Sequence, residues 1–312
     1  MLGVSRTASR IALFALFPVE EMSSGHKPSS FRMHSMSRLQ KFLLLLLTME
    51  LMAPLAASAA CSRVMNVPLS PTGFSVIDSG DLIAGIYPEV LSSVGPKEKC
   101  EFKLFIVPRA RLELMFENGQ ADLLIPASRT PKRDPLGVFV PLVRIRASLI
   151  SIGSTRPPVQ NLQELIDQGN SKIIVVRGFD YGDRYQALLA ILQKQGRLVM
   201  EADPVSAARM LKSGGGDYAL MAPSIFAGSV EVDSRVDDLS GRLRFEALPE
   251  LPWGESGVYL SKKSLSAEDM ATLQDLFDRV ARSGVVWKGF QRYYRREVLK
   301  EGIRPLDAQP PH

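Results

Sequence analysis

Two stretches of the chain repeat one pattern: MFENGQADLLIPAS, ending at Ser128, and MLKSGGGDYALMAPS, ending at Ser224. Each closes a helix with glycine, places an aspartate, runs a short apolar strand and finishes on Pro or Ala and Ser. A solenoid would need at least three copies at a period of about 20–50 residues. A single echo this far apart instead predicts two similar α/β lobes, each ending a strand at a shared cleft. The 312 residues, 46% hydrophobic and 23% charged, suffice for two such lobes.

The amino-terminal stretch MSRLQKFLLLLLTMELMAPLAASAAC reads as a signal peptide. Arg38 and Lys41 form its basic start, Phe42 to Leu47 its apolar core, and Ala57-Ser58-Ala59 a small-x-small cleavage signal. The apolar run is too short to span a bilayer, which takes about 20 residues. The signal begins at Met36, so residues 1–35 read as a non-native extension, with an unusually long basic region as the alternative. Six Lys/Arg and three Asp/Glu fall within residues 1–60. Of the 38 basic and 33 acidic residues, 32 and 30 therefore remain beyond them, and the net charge drops from +5 to +2. That balance gives no reason to expect nucleic acid. A basic cluster persists near the carboxyl end: Lys288, Arg292, Arg295, Arg296 and Lys300, with Tyr293 and Tyr294 among them. It reads as a solvated helix face, with docking onto a partner or anionic lipid as the alternative.

All three histidines (His26, His34, His312) lie outside the body of the chain, which argues against His-based triads and His-ligated zinc there. No cofactor or metal is expected. The two cysteines, Cys61 and Cys100, each precede an apparent strand that runs into a proline. If those strands are parallel neighbours, their starts lie side by side and a disulfide can form in an oxidising compartment. The other reading makes Cys61 a lipid-anchored residue after the lipobox-like Ser58-Ala59-Ala60.

Strands and helices alternate at short spacing, which predicts α/β layers with mostly parallel sheets flanked by helices. Strands are expected at 64–67, 102–107, 122–125, 173–176, 198–201, 218–221 and 255–262. Helices are expected at 86–94, 109–117, 161–168, 183–195, from Asp203-Pro204 onward, and from Ser266. The apolar stretch 138–152 is long enough to run from one lobe into the other. The division that follows is 61–150 plus 250–300 for lobe 1, 151–249 for an inserted lobe 2, and 301–312 for a tail.

In order and spacing, these segments resemble the bacterial extracellular solute-binding proteins of family 3, the periplasmic receptors of polar amino-acid ABC transporters. The carriers are Gly119-x-Ala-Asp122, Thr130-Pro-x-Arg133, Phe139-Val-Pro-Leu142, Arg177-Gly-x-x-Tyr-Gly182, Gly216-Asp217 and Val258-Tyr-Leu-Ser-Lys262. They span about residues 63–298. The resemblance implies a two-lobed clamp of the type II periplasmic-binding fold, with the ligand in the cleft between lobes. It also implies a monomer in the periplasm that passes a small anionic or zwitterionic ligand to a membrane permease.

In such proteins the arginine of T-x-x-R holds the ligand carboxylate, a task suited to its planar fork, and here that position is Arg133. Ser128 matches a contact just before it. The loop Arg177, Gly178, Tyr181, Gly182 opens a helix whose free N–H groups favour an anion. Phe74 is a candidate aromatic wall. Each has a plainer reading: Arg133 as partner of a nearby acid, Arg177 as a solvent-facing strand end, the glycines as backbone hinges. Arg109 and Arg111 read as helix-flanking residues, and Asp122 and Asp217 as turn and capping residues. One departure stands out. Amino-acid receptors place an acid after the second-lobe Gly-Asp strand to hold the ligand ammonium, whereas this chain has Met221-Ala222-Pro223-Ser224. The alternatives to a receptor are an enzyme on the same fold, a dehydratase of prephenate-like acids using Glu89 or Asp180, and a sensory module reporting to a membrane signalling partner.

Overall fold

The computed structural model describes residues 60–153 and 156–307; the expected signal peptide and alternative start lie outside the described residues. The chain opens with β1 (Met65–Leu69), the short hairpin β2 (Ile77–Asp78) and β3 (Ile83–Ala84), and helix α1 (Ile86–Val94). β4 (Phe102–Ile106) then lies parallel to β1, Met65 opposite Phe102. The starts of these two strands are adjacent, and Cys61 and Cys100 form a disulfide with Cα atoms 4.8 Å apart. Helix α2 (Arg109–Glu117) leads to β5 (Leu123–Ser128) and β6 (Gly137–Ile145).

At Ile145 the chain crosses over. β7 (Ser148–Ile152), α3 (Leu162–Asp167), β8 (Ile173–Val176), α4 (Asp183–Lys194), β9 (Leu198–Glu201), α5 (Pro204–Lys212), β10 (Tyr218–Met221), α6 (Pro223–Glu231) and β11 (Leu243–Glu246) build the second lobe. Its sheet runs β11-β7-β10-β8-β9, with apolar cores on both faces. The chain returns through β12 (Gly254–Ser261) into the first lobe. There α7 (Ala267–Ser283), α8 (Val285–Tyr293), α9 (Arg296–Gly302) and β13 (Ile303–Arg304) finish it around a sheet ordered β13-β6-β12-β5.

Helix starts follow local chemistry. Asn161, Asp203 and Ser266 each accept the backbone N–H three residues on, at 2.9, 2.8 and 3.0 Å. Three expectations need correction. The sheets are mixed: β1–β4, β8–β10 and β8–β9 are parallel, but every pairing of β6, β7, β11, β12 and β13 is antiparallel. A chain that leaves one lobe and comes back lays its outgoing and returning strands in opposite directions. Residues 223–231, where no helix was expected, form α6, with Pro223 at its first position, where a missing N–H costs nothing. Residues 303–304, read as tail, form an edge strand on β6.

The sequence echo has a common structural meaning. The Asp122 carboxylate accepts the N–H of Asn66 on β1, and that of Asp217 the N–H of Lys172 just before β8, both at 2.7 Å. Each aspartate ties the entry of its own strand to a neighbour.

Candidate ligand-binding cleft

The two lobes close on one another at small residues. Gly178, at φ 89°, lies so close to α2 that a Cβ there would sit 3.1 Å from Ala110 Cα. On the other flank, a Cβ on Gly228 of α6 would come within 2.6 Å of Tyr294 Oη and 3.1 Å of Gly73 Cα. Any larger residue at either point would wedge the lobes apart.

The lobe 1 wall is built on α2 and the loop after β5. Arg133 donates from Nε and Nη2 to the two Glu113 oxygens at 3.1 and 2.8 Å, and from Nη1 to the Ser128 carbonyl at 2.8 Å. Arg109, one helical turn before Glu113, reaches the same carboxylate at 2.7 Å and donates to the Pro126 carbonyl at 2.9 Å. Two buried guanidiniums thus share one carboxylate, leaving one positive charge without a counter-charge inside the network. Burial alone would raise the Glu113 carboxyl, but the two arginines outweigh it and hold it below the usual carboxylate range. Burial lowers the Arg109 guanidinium, opposed by Glu113. Arg109 Nε has no acceptor among the described residues.

The lobe 2 wall is the loop from Arg177 to Gly182 and the start of α4. Tyr181 packs against all three large apolar clusters, and its hydroxyl accepts the Ala222 N–H at 3.0 Å. Burial pushes that phenol well above its ordinary value. Asp180 accepts the Gly182 N–H at 2.9 Å, shaping the turn into α4.

Between the walls the space divides in two. The central gap, lined by Thr72, Arg109, Ser128, Tyr181, Ile225 and Ser256, measures about 40 Å³, room for water but not for an amino acid. At the cleft mouth a cavity of about 560 Å³ opens between Thr130, Lys132, Arg133 and Glu113 on one side and Arg177, Asp180, Asp183 and Gln186 on the other. Thr130, which lines this cavity, is buried, and its Oγ1 has no hydrogen-bond partner among the described residues.

Of the residues singled out from sequence, Arg133, Arg177 and Gly178 line the mouth cavity, and Ser128 and Tyr181 the central gap. Gly182, at φ 95°, caps α4 and lines neither. Phe74 lines neither as well: its ring packs on Tyr293 and Tyr294 with centroids 5.4 and 5.2 Å away. Glu89 bonds Arg292 and Tyr293 on the outer face of lobe 1, away from both spaces. Sequence reasoning passed over Glu113 and Lys132, and took Thr130 only as part of the motif that carries Arg133. The Arg109/Glu113 spacing of four residues on a helix was the available signal for the first.

This architecture defines the class: the chain has the two-lobed type II periplasmic-binding fold. A histidine kinase sensor domain with similarity to periplasmic binding proteins matches with a TM-score of 0.59 and 19% identity, over 74% of this chain and 96% of that one. The amino-acid ABC transporter substrate-binding protein AbpA from Streptococcus pneumoniae, bound to L-arginine, matches at 0.59 and 21% identity over 73% and 93%. The GluR0 ligand-binding core in complex with L-glutamate matches at 0.58 and 17% over 74% and 98%. No family model and no curated protein sequence matches the chain. At these identities the likeness concerns the fold.

Proposed function

We propose that this chain is an extracytoplasmic solute receptor that captures a small carboxylate-bearing ligand in the mouth cavity. It closes by lobe motion and delivers the ligand to a membrane permease of an ABC importer. The carrying observation is the Arg109–Glu113–Arg133 network, two buried cations to one anion at the cavity wall. A ligand carboxylate entering here meets the uncompensated positive charge of the network and Arg177. Asp180 and Asp183 on the facing wall suit a ligand ammonium, a role for which the stretch after Met221 offers no acid. Glu113 occupies the fork of Arg133, so the ligand competes with an internal carboxylate.

A binding role fits better than catalysis. Glu113, the buried carboxylate of this cavity, is held ionised rather than poised for proton transfer near neutral pH. A second reading, a module that senses ligand for a membrane signalling partner, is favoured by the small central gap, because the lobes meet through their own contacts.

The test is a thermal-shift panel of amino acids, dicarboxylates and aromatic acids on chain refolded free of carried-over ligand. A ligand at a hundred times its Kd should add about 2.7 kcal/mol. The hit should weaken in R177Q and strengthen in E113Q, where the fork of Arg133 is released. A hit indifferent to both variants would sink this site. Silence across the panel would move weight to the sensing reading.

A further inference from the structure

Outside the mouth cavity, β13 brings Arg304 directly opposite Arg144 on β6. Like charges facing across a strand pair are destabilising unless something neutralises them. Neighbouring charges do not. Arg146 is taken by Glu301, whose carbonyl and carboxylate accept from it at 2.9 and 3.1 Å. Glu255 on β12 stands across from Arg144, yet its ion pair is with Arg129 at 3.6 Å. Among the described residues neither Arg144 nor Arg304 has a carboxylate partner, and the Nε of each is buried without an acceptor.

The setting is a built groove rather than a scatter of surface charge. Trp253 lies between Arg146 and Arg304, whose guanidinium carbons are 4.7 and 4.1 Å from its ring centre. That stacking fixes the Arg304 side chain. Arg296 and Lys300 of α9 and the ring of Trp287 complete a groove of about 790 Å³. Burial, then the proximity of Arg144 and Arg146, holds the Arg304 guanidinium below its ordinary value.

We propose that the groove beside Arg304, backed by Arg144 on β6, is a binding site for a phosphate dianion, the head of a phosphomonoester seated against Trp253 and Trp287. Two adjacent unpaired guanidiniums call for about two negative charges, which a phosphomonoester carries near pH 7 and a single carboxylate does not. Its three terminal oxygens can accept from Arg304, Arg296 and Lys300, which line the groove, while Arg144 opposite Arg304 adds positive charge from the neighbouring strand. The basic cluster read from sequence contributes Arg296 and Lys300 as the rim. The two arginines that matter lie elsewhere in the chain, on β6 and β13. A free phosphomonoester and the monoester head of a lipid such as phosphatidic acid share this chemistry.

Calorimetric titration of the purified chain with inorganic phosphate, in buffer matched for ionic strength with chloride, is the direct test. Saturable binding is expected, with a loss of at least about tenfold in R304Q, a smaller loss in R144Q and no change in R177Q. Without phosphate, R304Q should melt higher than wild type, because the like-charge contact is gone; the phosphate-induced rise in Tm should vanish with it. Vesicles of phosphatidylcholine containing phosphatidic acid separate the sources. Retention that phosphate competes away assigns a lipid head, and phosphate binding without retention assigns a soluble monoester. Phosphate acting no better than chloride, binding unchanged in both variants, loss in R177Q instead, or equal retention on phosphatidylglycerol vesicles would each overturn the proposal.

Discussion

The arginine–glutamate network on the lobe 1 wall of the cleft is kept out of water, whereas the charges of the lobe 2 wall are left in it or only half-buried. Arg133, Arg109 and Glu113 have side chains only 4%, 6% and 14% exposed and are bonded to one another. Arg177 and Asp183 are exposed, and Asp180 is half-buried. Lobe 1 also carries the disulfide. A buried charge network tolerates one geometry, because any slip leaves an unpaired ion in low dielectric. Exposed charges lose little by moving. Lobe 1 is therefore the fixed half of the site and lobe 2 the adaptable half, so stability should be sensitive in one and ligand selectivity in the other.

Truncating the centre of the network tests this hardest. In Glu113→Ala, two buried guanidiniums lose their shared partner, at a cost of about 3–5 kcal/mol. Arg177→Ala, on the facing wall, should stay within about 0.5 kcal/mol of wild type. Urea unfolding of the two variants decides it, and equal losses would erase the distinction between the walls. Removing the staple comes next. The Cys61–Cys100 bridge spans 39 residues, and C61S/C100S should lose about 2–4 kcal/mol. Native-state hydrogen exchange should show the added opening in β1 and β4 while β8 and β10 keep their protection. Uniform loss through both lobes would mean that they unfold as one unit.

A finer contrast uses the echoed aspartates. Asp122 is buried and accepts from Asn66 and twice from Arg63, whereas Asp217 is exposed and accepts from Lys172. D122A should therefore cost about 2 kcal/mol and D217A about 1 kcal/mol or less. If the order reversed in denaturant melts, the lobe 2 turn would be the more constrained of the two.

How much of this was readable beforehand follows the range of the interactions. Helix α1, helix α2 and strands β8, β9 and β10 match their periodic patterns to the residue, because apolar spacing and caps such as Asp203-Pro204 are local. The disulfide was legible because two strand starts carried the only cysteines. Helix α6 was missed: its opening Ala-Pro-Ser copies the Pro-Ala-Ser that ends β5, and the same three residue types serve a strand end in one lobe and a helix start in the other. The placement of Phe74 depends on Tyr293 and Tyr294, which arrive from the far end of the chain. The partner of Arg133 is another matter of distance. Glu113 stands twenty residues earlier, and only the packing of α2 against β5 brings the two together.

The smallest effect expected is also the one specific to the network's charge. The flanking arginines depress the Glu113 carboxyl below its ordinary value of 4.5 despite burial. A carboxylate depressed in the folded state binds protons more readily in the unfolded chain. Its ionisation therefore stabilises the fold fully above the unfolded value, and that contribution is lost as pH falls through the folded one. Asp122 and Asp269 are depressed as well, so the wild-type melting curve alone would mix several groups. The difference in Tm between wild type and Glu113→Gln removes them, because both proteins share every other carboxylate. That gap should be flat from neutral pH to about 5 and should narrow steadily below about 4.5. A gap that widened in acid would mean that Glu113 enters the fold protonated. The network would then carry two uncompensated cations rather than one, and lobe 1 would lose its claim to be the fixed half of the cleft.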